Sequence, residues 1–97
     1  MRIAQVAPPF ETVPPSRYGG TERVVATLTD ELVRRGHDVT LFASGDSHTP
    51  ASLVPVVDRA LWHREPPYKD LAPFWPITLG YLAEHLGEFD VIHNHLD

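Results

Sequence analysis

Two short stretches of this chain carry groups suited to chemistry: Arg17-Tyr-Gly-Gly-Thr-Glu22 near the start and His93-Asn-His-Leu-Asp97 at the end. Gly19 and Gly20 have no Cβ, so backbone there can approach a ligand closely, and the free N–H groups of a helix behind them favour an anion such as phosphate. In an extended segment residues two apart share a face, which lets His93, His95 and Asp97 point one way and Asn94 the other. Two imidazoles and a carboxylate can hold a divalent metal. Neutral imidazoles and the Asn94 amide can instead hydrogen-bond sugar hydroxyls, with histidine able to pass a proton near neutral pH. The plainer alternatives are that the glycines supply only a turn and an N-cap, and that the histidines satisfy local backbone groups. His37, His48, His63 and His85 are isolated and suggest nothing more than that.

The elements that would position these stretches are legible around them. Arg2-Ile-Ala-Gln-Val-Ala7 is a short apolar run that predicts a buried strand. Pro8, Pro9, Pro14 and Pro15 then forbid both helix and ladder pairing, leaving an extended, partly rigid loop through Tyr18. Ordinary strand-to-helix loops run about 2–6 residues, so the length of this one points to contact with a ligand. A nicotinamide-type dinucleotide fingerprint is the rival, but it needs a tight turn and the spacing G-x-G-x-x-G, which is absent here.

From Thr21, Val24, Val25, Leu28, Leu32 and Val33 fall at helical spacing, with Glu22 in the first turn, Arg34 and Arg35 in the last and Gly36 beyond as a C-cap. Asp38 to Ala43 predicts a second strand, parallel to the first through a right-handed crossover. Ser44 to Pro50 is a turn-rich loop whose Asp46 could accept ribose hydroxyls in a dinucleotide fold but reads better as loop chemistry. Leu53 to Val57 predicts a third strand, placed at an edge by Pro55. Arg59 to Pro73 is polar and broken by prolines, an irregular excursion. Trp62, Tyr68, Phe74 and Trp75 can stack on a sugar or serve as apolar anchors. Pro76 opens a second helix over Ile77 to Leu86, with Leu79, Leu82 and Leu86 on one face, and Gly87 stops it before a fourth strand over Phe89 to His93. The fold class is therefore α/β, a partial Rossmann-like parallel sheet of order 3-2-1-4 with flanking helices. That order makes the first and fourth strands neighbours and brings the two chemical stretches to one crevice.

Composition narrows the function further. A chain of 97 residues is at most one small domain. With 13 acidic against 8 basic residues the net charge is -5, which argues against nucleic acid or an anionic membrane as the main partner. Without cysteine, disulfides, thiolate chemistry and cysteine-held metals are excluded. No leader opens the chain and no apolar stretch approaches the about 18 residues that would span a bilayer, so the expected setting is cytoplasmic.

Met1-Arg-Ile-Ala-Gln-Val-Ala-Pro-Pro-Phe10, Tyr18-Gly-Gly-Thr-Glu-Arg23, Leu32-Val-Arg-Arg-Gly-His-Asp-Val-Thr-Leu-Phe42 and Asp90-Val-Ile-His-Asn-His95 together closely resemble the N-terminal end of family four glycosyltransferases. The resemblance is weak from Leu53 to about Pro76 and close elsewhere. It implies a GT-B architecture, in which two Rossmann-like domains face a cleft and the second holds most of a nucleotide-sugar donor. It implies that Gly19 and Gly20 approach the donor's phosphates or sugar, that Arg17 and Tyr18 help form the acceptor side, and that His93 and His95, with Asn94 between them, lie beside the acceptor cleft. Glu22 belongs to the motif and serves mainly the helix terminus. The implied reaction retains anomeric configuration without a bound catalytic metal or a protein nucleophile. It leans instead on orientation and stabilisation of the leaving diphosphate, and no residue is assigned a catalytic role. The nucleotide sugar enters as substrate, with no separate cofactor, and the acceptor is a small molecule, lipid or glycan.

Set against that resemblance, residues 1–97 form an incomplete first domain, short of the later histidine motif, the E-x7-E donor signature and the donor-binding domain. The expectation is a segment inactive as a transferase on its own; the alternative is a non-catalytic sugar- or nucleotide-binding module or the partner chain of a split enzyme. An uncovered fourth strand would favour self-association or a complementary chain.

Overall fold

The computed structural model describes residues 1–9, 11–16, 19–61 and 76–95 together with the backbone of Trp75. The chain runs β1 (Arg2–Val6), α1 (Gly20–Arg34), β2 (Asp38–Ser44), β3 (Ser52–Val57), α2 (Trp75–Glu84), a 3-10 turn (Leu86–Glu88) and β4 (Val91–Asn94). The strands form one sheet of order β3-β2-β1-β4, as the sequence predicts, and every pairing is parallel. Pro55 lies in the edge strand β3, where the register slips between Ala43 and Ser44. The excursion after Arg59, apart from Ala60 and Leu61, lies outside the described residues, as do Trp62, Tyr68 and Phe74. Among the described residues, no helix is long and apolar enough to cross a membrane.

Alternation along β1 divides the core in two. Ala7 joins Val13, Val25, Leu41 and Ala43 on the α1 side, while Ala4 and Val6 join Phe42 and Val56 on the other, where Leu82 of α2 and Phe89 pack. Phe42 meets the rings of Phe89 and His85 edge-on, each with centroids 5.9 Å away. The end of α1 is fixed as expected. Gly36 adopts φ 88, its N–H reaches the Val33 carbonyl and that of His37 reaches Leu32, a Schellman cap that satisfies carbonyls the helix leaves open.

Burial corrects three side-chain expectations. Val24 is exposed, because α1 turns Glu22, Val25 and Thr29 to the sheet. Leu82 of α2 packs inward as expected, but Leu79 on α2 and Leu86 in the following 3-10 turn are more than half exposed, because Thr78 and half-buried His85 take the inward places, roughly one residue or about 100° round the helix. The fourth strand, β4, is exposed at all four residues, as its uncovered position predicts, and begins two residues later than the expected Phe89, which belongs to the core ahead of it. Docking of the aromatic cluster, rather than leucine spacing, sets the rotation of α2. Gly87 falls inside the 3-10 turn rather than ending the helix itself.

Candidate functional site

Because the neighbours β1 and β4 are parallel, the chain leaves both at the same end of the sheet. The loop after β1 is held by contacts that its prolines alone do not explain. Val13, 1% exposed, pins it into the α1-side core. The Val13 N–H donates to Ser47 Oγ at 3.0 Å, its carbonyl accepts from the His48 N–H at 2.8 Å, and Ser44 and Ser47 hydroxyls share a bond of 3.0 Å. The loop after β2 thus buttresses the loop after β1. Asp46 has a structural role there, its Oδ1 accepting the Ala60 N–H at 3.0 Å.

Gly19 and Gly20 differ sharply. Gly19 has φ 150, and a Cβ built on it would lie 2.7 Å from Glu22 Oε1 and 2.8 Å from Pro15 Cβ, so only glycine fits without movement. Gly20 begins α1, is exposed, and has open space among the described residues where a Cβ would stand. The first intrahelical bond runs from the Arg23 N–H to the Gly19 carbonyl at 2.9 Å, which leaves the Gly20 and Thr21 N–H groups ahead of the ladder. Glu22 accepts its own backbone N–H, and burial, with a smaller contribution from Glu11, raises its carboxyl above the usual range. Glu11 is itself 3% exposed and caps the Thr12 N–H at 2.9 Å. The helix terminus where the sequence predicts a bound anion therefore has two buried carboxyls of its own close by. Glu11 gave no signal in the sequence, where it sits unmarked among prolines.

At the other stretch, the His93 and His95 rings share a face as their spacing predicts, with centroids 4.1 Å apart and planes tilted by 36°. Asn94 registers with Val6 and so belongs to the opposite face. The His95 N–H donates to the Val6 carbonyl at 3.0 Å, and its Nε2 lies 2.8 Å from Gln5 Oε1. Burial, and secondarily the charge of His93, hold His95 below the usual imidazole range. Gln5, fully buried on β1, is a site residue that motif reading passed over, although a lone amide in an apolar strand was a visible signal. Arg17, Tyr18 and Asp97 lie outside the described residues, and among the described residues no three His, Cys, Asp or Glu side chains gather as a metal site.

The arrangement offers backbone donors at the mouth of α1 and ring nitrogens at the end of β4, both at the carboxyl edge of one parallel sheet, where open α/β folds take ligands. Comparison with known proteins bears on the fold and family. The family model Glycosyltransferase Family 4 matches residues 18–96. Among solved structures, the crystal structure of AviGT4, a glycosyltransferase involved in avilamycin A biosynthesis, is 28% identical with a TM-score of 0.62. The match covers 96% of this chain and 25% of that one, so the chain spans about a quarter of the length of this relative. No curated protein matches the chain.

Proposed function

Because the chain belongs to glycosyltransferase family 4, we propose that it forms the acceptor-side part of a GT-B enzyme that moves a sugar from a nucleotide-sugar donor to an acceptor. The observation that carries this reading is the convergence at one sheet edge of the Gly20 and Thr21 N–H groups with the His93 and His95 rings. Gly20, exposed and open, is where a donor diphosphate would come against backbone; Gly19 shapes the turn that aims it. Neutral His95 would hydrogen-bond an acceptor hydroxyl, while Arg17 and Tyr18 would help form the acceptor side and Asn94 would contribute from the far face. Transfer with retention then follows from orienting acceptor and leaving diphosphate, with no protein nucleophile and no bound metal.

On this reading the 97 residues supply half of a cleft, and the second Rossmann-like domain that holds the donor base supplies the other. The purified chain, incubated with UDP-, GDP- and ADP-sugars and a panel of glycan and lipid acceptors, should release no nucleoside diphosphate. Turnover by the chain alone would overturn the half-cleft account. Joined to a donor-binding domain, it should yield product whose anomeric configuration matches the donor, and an inverted product would overturn the retaining chemistry.

A further inference from the structure

The middle of β1 buries an amide where its neighbours are apolar. Gln5 is fully buried and pairs in register with Leu41 on one side and His93 on the other. Its Oε1 meets His95 Nε2 at 2.8 Å, and its Nε2 has no partner among the described residues. Leaving a buried amide donor unmet carries a desolvation cost that a leucine at this position would avoid. The strand end does not need the contact, because the His95 main chain is already bonded to the Val6 carbonyl at 3.0 Å. What the amide does uniquely is choose which ring nitrogen of His95 carries the proton. A carboxamide oxygen only accepts, so the nitrogen facing it must donate, and the other nitrogen keeps its lone pair. The His93 ring beside it, with centroids 4.1 Å apart, restricts the imidazole from turning over.

We propose that Gln5 is a positioning residue for His95, its buried amide oxygen holding the ring in the Nε2–H form so that Nδ1 is the acceptor offered to a ligand hydroxyl. The last clause rests on the glycosyl-transfer reading; the proton's position is a property of the chain alone. Hydrogen-bond partners that fix a histidine's proton in this way govern how well its other nitrogen accepts.

The test is a long-range 15N spectrum of the histidine rings in the 97-residue chain without ligand, recorded well above the titration of His95. The wild type should show a proton-bearing Nε2 and a bare Nδ1. Gln5→Leu should move both resonances toward exchange-averaged values as the Nδ1–H form grows several-fold. Gln5→Glu should keep the wild-type pattern and raise the His95 titration midpoint, because a carboxylate in the same place still accepts and adds charge. A wild-type ring protonated on Nδ1 would overturn the proposal, even if neither variant folds. So would resonances that Gln5→Leu leaves unmoved. Because no substrate is present, failure here is separate from failure of the glycosyl-transfer reading, which stands or falls on transfer by the chain joined to a donor-binding domain.

Discussion

The two ends of the crevice are built to opposite specifications. The loop after β1 is pinned from inside by Val13, buttressed by Ser44 and Ser47, and closed around a glycine that has no room for a methyl group. Among the described residues the segment at β4 has a single neighbouring strand, with all four of its residues exposed and one buried amide reaching the last histidine. The difference teaches which part is preformed. Backbone donors at α1 are set by the fold of these residues, whereas the histidine side is an exposed edge among the described residues.

The largest expected effect separates the two adjacent glycines. Gly19→Ala meets both a φ of 150 and overlap with Glu22 and Pro15, and should cost about 1–3 kcal/mol of stability, read as a fall in Tm. Gly20→Ala, with open space around it, should change stability by less than about 0.5 kcal/mol. Equal losses for the two would erase the claim that Gly19 shapes the loop and Gly20 faces the ligand.

A smaller effect, in solution state rather than stability, belongs to the open side. Val91 and Ile92 are 42% and 38% exposed on an edge strand, and such edges pair with other chains. Light scattering should find the wild type self-associating, and Ile92→Lys should shift it to monomer with a stability change within about 0.5 kcal/mol. A wild type that stays monomeric at high concentration would show the edge to be protected.

The smallest effect is pH dependence, and its sign differs between the ends. The folded Glu22 carboxyl titrates above the ordinary carboxyl value of 4.5, so its contribution to stability is present below that value and is lost as pH rises through the raised folded value. The folded His95 titrates below 6.5, so its contribution is present above that value and is lost as pH falls through the lowered folded value. Relative to the wild type, Glu22→Gln should therefore gain more at neutral pH than in acid, and His95→Phe should lose more near neutral pH than in acid, both followed by denaturant unfolding. Matching slopes for the two variants would contradict the assigned environments. Exposed Glu31, held to about 2 by Arg34 and Arg35, loses its contribution only as pH falls from 4.5 toward that value, so it leaves the neutral window unaffected.

Much of this was written in the sequence, for identifiable reasons. Strand order followed from the apolar runs and the compact strand-helix-strand spacing, and the α1 terminus from Gly36. The shared face of His93 and His95 followed from the period of an extended chain. The inward faces of the helices did not follow, because Val24, Leu79 and Leu86 have the apolar character of core residues and only the docking of Phe42, Phe89 and His85 turns Leu79 on α2 and Leu86 in the 3-10 turn outward. The buried carboxyls of Glu11 and Glu22 were equally hidden, since charge in sequence signals a solvated surface until a fold closes over it. Gln5 was visible as an anomaly but acquired meaning only when β4 brought His95 to it.

The most direct test of the shared crevice is a 15N amide and ring titration, with UDP, GDP and ADP in turn, of the labelled 97 residues joined to a donor-binding domain. The account predicts that at least one nucleoside diphosphate moves the Gly20 and Thr21 amides together with the His93 and His95 resonances, along one saturation curve. Shifts confined to one end, or none with any of the three, would contradict the claim that the loop after β1 and the segment after β4 serve a single site.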